Sequence, residues 1–127
     1  MKRIYSVLVE NRSGVLCKVA GLFSRRCFNI DSLAVGETDD SAVSCMTIVS
    51  SGDKRTIEQI EKQLSKLEDV VDIKKLESGN SVCRELILIK IRVESTNRQA
   101  VISLAEIFKT KIVDVTNDSM MIELIGS

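Results

Sequence analysis

The chain of 127 residues contains no histidine, and its four cysteines, Cys17, Cys27, Cys45 and Cys83, form no C-x-x-C pair. Without histidine, no imidazole is available to activate a serine or cysteine nucleophile, and a zinc site lacks its usual ligands. We therefore expect no catalysis by this chain alone and no metal site. We interpret Cys17 and Cys45 as small buried hydrophobic residues of a protein from a reducing compartment.

The chain also has no excess of charge of either sign, because it contains 18 lysines and arginines and 18 aspartates and glutamates. Balanced charge gives no reason to expect binding to nucleic acid or to a membrane surface. No apolar run approaches the roughly 20 residues that span a bilayer, and the N-terminus does not resemble a signal peptide. We expect a cytoplasmic protein with no nucleic-acid or membrane partner. The hydrophobic share of 44% is enough for the core of one or two small domains.

The stretch that follows the first strand combines a turn with an amphipathic helix. The turn is Asn11-Arg12-Ser13-Gly14, and an apolar stripe follows at the helical spacing i, i+3, i+4 and i+7: Leu16, Val19, Ala20 and Phe23. Two interpretations are open. Asn11 and Ser13 form the turn and cap the helix, or the unpaired amides at the positive end of the helix dipole hold a carboxylate or phosphate.

The first part of the chain alternates strand and helix patterns. The predicted strands are 4–10, 28–37, 42–49 and 70–76, and the predicted helices are 14–26 and 54–67. This βαββαβ order predicts an α+β, ferredoxin-like domain over residues 1–77, a four-stranded antiparallel sheet with two helices on one face. We expect a bulge near Asp31 and Ser32. For the second helix, a Thr56–Gln59 capping box competes with Asp53 as the cap.

Residues 78–83 are polar and form the predicted linker to a second domain, residues 84–127. Its predicted order is βαββ, with strands 84–93, 111–115 and 120–125 and a helix that begins at a Thr96–Gln99 capping box. One helix and one strand are missing from a second ferredoxin-like unit. Either a partner covers the open apolar face or the sequence is truncated, because an uncovered face promotes association.

Several segments carry a more specific signal. The main ones are residues 6–16 (SVLVENRSGVL), 21–26 (GLFSRR) and 28–33 (FNIDSL), and the others are 38–40, 46–48, 59–64, 84–86, 105–108 and 112–116. Together they resemble the regulatory (small) subunits of acetolactate synthase, also called acetohydroxyacid synthase, over essentially the whole chain. The Asn-x-x-Gly turn alone would indicate only an ACT domain.

The resemblance implies an N-terminal ACT domain, a module that senses small molecules. Such domains pair edge to edge into a homodimer and bind an amino-acid effector, usually valine, at the interface. One protomer would contribute Asn11, Gly14, Val15 and Leu16, with the turn amides holding the carboxylate, and its partner would contribute Asn29 and Ile30, followed along that strand by Gly36. Asn11 has the groups to act as both donor and acceptor.

The resemblance also implies a partner, the catalytic (large) subunit of acetolactate synthase. The chain would activate that subunit and confer feedback inhibition by valine in branched-chain amino-acid biosynthesis. Thiamine diphosphate, magnesium and FAD are expected on the catalytic subunit, and no cofactor is expected on this chain. The second domain of the family is normally longer than residues 84–127.

Three other functions compete with this one. A free-standing ACT sensor acting on a different protein is the main alternative, although no helix-turn-helix supports DNA binding. An RNA-recognition module shares the βαββαβ order but needs exposed aromatic residues, and aromatics are 3% of this chain. An enzyme could use the paired carboxylates Asp39 and Asp40, but these lie in a predicted turn and are better explained as solvated turn residues.

Overall fold

The computed structural model describes residues 1–77 and 79–126. It consists of two compact units, Met1–Ser81 (unit 1) and Val82–Ser127 (unit 2). The division falls inside the segment 78–83, the predicted linker, of which residue 78 lies outside the described residues. Among the helices described, none is long and apolar enough to cross a bilayer.

Unit 1 is the predicted ferredoxin-like fold. Its elements are β1 (Lys2–Glu10), α1 (Val15–Arg25), β2 (Ser32–Glu37), β3 (Val43–Ser51), α2 (Lys54–Ser65) and β4 (Val70–Leu76). The strands form one antiparallel sheet in the order β2-β3-β1-β4, so β2 and β4 are its edges. The predicted βαββαβ order and α+β class are confirmed.

The second strand is shorter than predicted, because residues 28–31 belong to the connection after α1. The Phe28 amide donates to the Phe23 carbonyl at 2.9 Å, and the two rings meet edge to face with centroids 6.1 Å apart. The β2–β3 register then runs without a shift from Ser32 to Glu37. The bulge predicted near Asp31 is therefore wrong, and the irregularity of the sheet lies between Leu8 and Val9, where β1 pairs with β4.

The core of unit 1 lies between the sheet and its two helices. Alternate residues of β1 and β3 face the helices, as a period of two requires. The buried residues are Tyr5, Val7, Val9, Val15, Val19, Leu22, Phe23, Met46, Ile48, Ile57, Ile60 and Leu64. The Tyr5 hydroxyl donates to the Ile57 carbonyl at 3.0 Å, and burial, reinforced by the charge of Glu61, raises the pKa of Tyr5 to about 12.

The predicted apolar stripe of α1 is confirmed at Val19 and Phe23, which are buried, and wrong at its other two positions. Val15 and Leu22 are buried on the sheet side, whereas Leu16 and Ala20 are exposed. Both sets have helical spacing, so the period alone does not choose between them. Cys17 follows Leu16 onto the exposed side, which contradicts its predicted burial, and Cys45 is half-buried.

The predicted caps have mixed outcomes. Asp53 caps α2, because its carboxylate accepts a hydrogen bond from the Thr56 amide at 2.7 Å. The Thr56–Gln59 box is therefore not the cap. In unit 2 the helix begins at Arg98 with Asn97 before it and no side-chain cap, so the box predicted at Thr96 is also wrong. The side chain of Asn97 instead accepts from the Glu94 amide at 2.6 Å.

Unit 2 has the predicted βαββ order. Its elements are β5 (Glu85–Arg92), α3 (Arg98–Ile107), β6 (Lys111–Val115) and β7 (Ser119–Gly126), and its antiparallel sheet has the order β5-β7-β6. An open apolar groove of about 530 Å³ lies against this sheet and α3. Its walls are Ile89, Ile91, Val101, Leu104, Ala105, Phe108, Thr110, Ile122 and Leu124.

Candidate functional site

The bend between β1 and α1 is built around Gly14. This residue precedes the helix with φ of +89°, a conformation that favours glycine, and the Arg12 amide donates back to the Glu10 carbonyl at 2.9 Å. No side chain caps the helix, so the capping interpretation of Asn11 and Ser13 is wrong. A Cβ built on Gly14 would meet nothing within 4 Å. The positive end of α1 therefore begins at an open surface.

Asn11 anchors the bend to the neighbouring strands. Its side-chain amide donates to the Glu37 carboxylate at 3.1 Å and to the Ser41 carbonyl at 2.8 Å. Its backbone amide donates to the Ala42 carbonyl at 2.9 Å. Because both side-chain hydrogens are engaged within the chain, only the Asn11 carbonyl oxygen is left for a ligand, as an acceptor and not as a donor.

Gly36 lies near Asn11, since it directly precedes Glu37 at the end of β2, and a Cβ there would also meet open space. Leu16 is exposed at the start of α1. Val15 differs, because its side chain is buried in the core and its amide donates to the Arg12 carbonyl at 3.4 Å. Asn11, Gly14, Leu16 and Gly36 thus come from three elements that meet at one end of unit 1.

Asn29 and Ile30 lie at the other end of β2. The six residues of that strand separate them from Gly36 and Asn11 by about 20 Å at the usual rise of a strand. Asn29 is exposed, and Ile30 is partly buried against the core. A single chain therefore brings Gly36, but not Asn29 and Ile30, to the bend that holds Asn11 and Gly14.

Asn29 is held in place by the strand next to it. Its side-chain amide donates to Asp31 at 2.6 Å, and its carbonyl accepts from the Ser50 hydroxyl at 2.6 Å. Asp31 also accepts from the Ser51 hydroxyl and donates its backbone amide to Val49 at 2.7 Å. The hydrogen bonds from Ser51 and Asn29 hold the pKa of the Asp31 carboxyl below its ordinary value.

A charged network behind the bend was not predicted from the sequence. The buried carboxylate of Asp69 binds Arg12, within the bend, and Lys18, in the first turns of α1. Asp69 precedes β4, where an aspartate usually indicates a solvated turn. No local pattern signals its burial, because its partners lie 57 and 51 residues away in sequence.

Both units match known families. Residues 5–72 match the family described as AHAS small subunit-like ACT domain, and residues 84–127 match the small subunit of acetolactate synthase. The chain is similar to the acetolactate synthase small subunit of Haemophilus influenzae, with 50% identity over 100% of this chain and 78% of the relative. It is also similar to that of Mycobacterium avium, with 52% identity over 95% of this chain and 72% of the relative.

A solved structure agrees with these matches. The crystal structure of the acetolactate synthase small subunit from Thermotoga maritima superimposes with a TM-score of 0.91 at 43% identity. The superposition covers 100% of this chain and 80% of that one. The matches therefore cover both units.

Proposed function

The chain belongs to the acetolactate synthase small-subunit family, and from this premise we propose that it activates the catalytic subunit and confers feedback inhibition by valine. The chain has no catalytic activity of its own in this proposal. The large subunit carries the reaction together with thiamine diphosphate, magnesium and FAD. This chain contributes an effector site and the contacts that transmit its occupancy.

The observation that carries the proposal is the uncapped start of α1 behind Gly14. An α-amino acid needs donors for its carboxylate, an acceptor for its ammonium group and apolar surface for its side chain. The amides of α1 that follow Val15 in its first turn supply the donors, and the partly positive end of the helix favours the anion. The side-chain oxygens of Asn11 and Asn29 supply acceptors, and Leu16 and Ile30 supply apolar surface.

The complete site requires two copies of the chain that pair through β2. This strand is an edge of the sheet, and all six of its residues are exposed. Leu33 and Val35, 39% and 47% exposed, would be covered in such a pair. A twofold axis that pairs two β2 strands antiparallel sets the beginning of one against the end of the other. Asn29 of one copy then approaches Asn11 of the other.

Valine is the expected effector, although related side chains would compete. One methylene changes the binding free energy in an apolar pocket by only about 1–3 kcal/mol. Leucine and isoleucine are therefore expected to bind more weakly, by factors of roughly 10 to 200, but measurably. Titration calorimetry with the three amino acids orders them directly.

The test combines activity measurements with one substitution at the bend. The chain alone is expected to form no acetolactate from pyruvate, to stimulate the catalytic subunit, and to make it sensitive to valine. Gly14→Asp places a Cβ and a negative charge where the effector carboxylate binds. We expect it to raise the valine concentration for half-inhibition by about tenfold or more, at least 1.4 kcal/mol, with stimulation largely retained.

Gly79→Asp is the matched control. Gly79 lies beyond the end of β4, and a Cβ built there would meet open space. The substitution therefore adds the same negative charge away from the bend. Valine inhibition that survives Gly14→Asp unchanged would exclude the helix-start site. Acetolactate formed by the isolated chain would refute the regulatory role, and a failure to stimulate the catalytic subunit would favour a free-standing sensor.

A further inference from the structure

Asp69 carries a charge in a buried position. It lies in the connection between α2 and β4, and only 5% of its side chain is exposed. Removing a carboxylate from water is unfavourable unless cations and hydrogen bonds replace the water. The position of Asp69 therefore depends on the side chains around it.

Two cations meet this carboxylate, one on each oxygen. Lys18 Nζ donates to Oδ2 at 2.7 Å, and Arg12 Nη2 donates to Oδ1. The same Arg12 nitrogen is 2.5 Å from the Glu10 carboxylate. The hydrogen bond from Lys18, with the charges of Lys18 and Arg12, holds the pKa of Asp69 below its ordinary value.

Arg12 and Lys18 lie on either side of Gly14 along the chain, so Asp69 spans the bend. The backbone of Asp69 adds a further tie, because its carbonyl accepts a hydrogen bond from the Glu10 amide at 2.9 Å. One residue thus fixes the end of β1, the bend and the first turns of α1. Asn11 holds the bend from the opposite side, through β2.

We propose that Asp69 is a positioning residue for the effector site, acting through Arg12 and Lys18 and touching no effector itself. The inference rests on the proposed function. A bend that is already ordered loses less conformational freedom when the effector binds, which favours binding. Asp69 also fixes the charged ends of Arg12 and Lys18, whose side chains are about 60% exposed.

The substitution that tests this is Asp69→Asn, which keeps the shape of the side chain and removes its charge. In the complete chain, we expect the dissociation constant for valine, measured by titration calorimetry, to rise about tenfold. Stimulation of the catalytic subunit by the valine-free chain should stay within about twofold of the unsubstituted value. Amide hydrogen exchange of residues 11–18 should become faster.

Asp53→Ala is the control for a loss of stability alone. It removes the cap of α2 in the same unit but contacts neither the bend nor its cations. We expect it to lower the thermal midpoint without changing the valine dissociation constant or the exchange of residues 11–18. If Asp53→Ala weakens valine binding as much as Asp69→Asn does, Asp69 acts through general stability and the proposal is overturned.

Lys18→Gln is a second variant that tests the proposal if Asp69→Asn does not fold. The side chain of Lys18 is mostly exposed, so its substitution is expected to leave the fold intact. We expect Lys18→Gln to weaken valine binding in the same direction, and the double variant to weaken it by less than the product of the two single effects. If the double variant weakens valine binding by the full product of the two single effects, Asp69 does not act through Lys18, and this part of the proposal is overturned.

The two proposals fail in different ways. If the unsubstituted chain binds none of the three branched-chain amino acids, the proposed function is refuted, and hydrogen exchange alone decides the role of Asp69. Faster exchange at residues 11–18 in Asp69→Asn, but not in Asp53→Ala, would then still show that Asp69 orders the bend. Unchanged exchange overturns it.

Discussion

Units 1 and 2 begin with the same architecture. Each runs strand, helix, strand, strand, and the strand orders β2-β3-β1 and β6-β7-β5 correspond. Unit 1 then adds α2 and β4, and β4 pairs with the free side of β1. In the described part of unit 2, the corresponding side of β5 has no strand beside it. The two units thus show one arrangement with and without its last helix and strand.

Burial follows the added elements more than local hydrophobicity. β5 is rich in leucine and isoleucine, yet Ile87 and Ile89, which share the strand face that lines the groove against α3, are 46% and 41% exposed. In β1, which has neighbours on both sides and helices above it, Tyr5, Val7 and Val9 are at most 1% exposed. An apolar strand that packs against one helix therefore stays partly exposed to water, and its residues become fully buried only where a second helix also covers the sheet.

The largest effect expected from this comparison is between two phenylalanines. Phe23 is 1% exposed in unit 1 and Phe108 is 69% exposed in unit 2. We expect Phe23→Ala to lower the free energy of unfolding by about 3–5 kcal/mol, and Phe108→Ala to change it by less than about 0.5 kcal/mol. Urea denaturation followed by far-ultraviolet circular dichroism measures both. Equal losses would show that the groove of unit 2 is filled in solution.

A smaller effect is expected from two glycines. Among the described residues, Gly14 is the glycine with positive φ, whereas Gly126 at the end of β7 has an ordinary conformation and open space around it. We expect Gly14→Ala to cost about 1–2 kcal/mol, and Gly126→Ala to be neutral or slightly stabilising. Thermal unfolding of both variants gives the comparison. A neutral Gly14→Ala would mean that the bend adopts another conformation in solution.

A third effect is a dependence of stability on alkaline pH that comes from Tyr5 in unit 1. Tyr5 is the only tyrosine, and its pKa is raised to about 12 from 10. A raised pKa means that the folded unit binds the proton more tightly than the unfolded chain does. This stabilisation is complete below pH 10 and is lost as the pH rises from 10 through 12. Tyr5→Phe should remove the dependence, because it removes the hydroxyl.

The measurement is a spectrophotometric titration of the tyrosine with unfolding followed in parallel by circular dichroism. The chain contains no tryptophan, so tyrosine emission also reports on unit 1 without interference. A titration midpoint near pH 10 in the folded chain would contradict the burial of Tyr5.

The sequence was sufficient to predict the order of the elements and the bend at Gly14. These depend on local signals, namely apolar periodicity and a glycine between a strand and a helix. The stripe of α1 was predicted correctly at Val19 and Phe23 but not at Leu16 and Ala20, because Leu16 and Val15 both start stripes with helical spacing. Only the packing against β1 and β3 selects Val15.

The partners of the site residues were also beyond local patterns. Asn11 binds Glu37 and Ser41, and Arg12 binds Asp69, residues at least 26 positions away in the chain. From the sequence alone, Asn11 and Arg12 could be interpreted only as turn residues. Their roles follow from the sheet order. The end of β1 lies beside the beginning of β3, which in turn lies beside the end of β2, and on its other side the end of β1 lies beside the beginning of β4.

The exposed edge of β2 has a consequence for how such a sensor would respond inside a cell. A site divided between two protomers exists only when they are paired, so its occupancy depends on how much subunit has been made as well as on how much amino acid is present. Dilution would weaken the apparent affinity, and abundant effector would in turn promote pairing. Regulation by the end product and regulation by subunit abundance would then be linked through six residues of one strand.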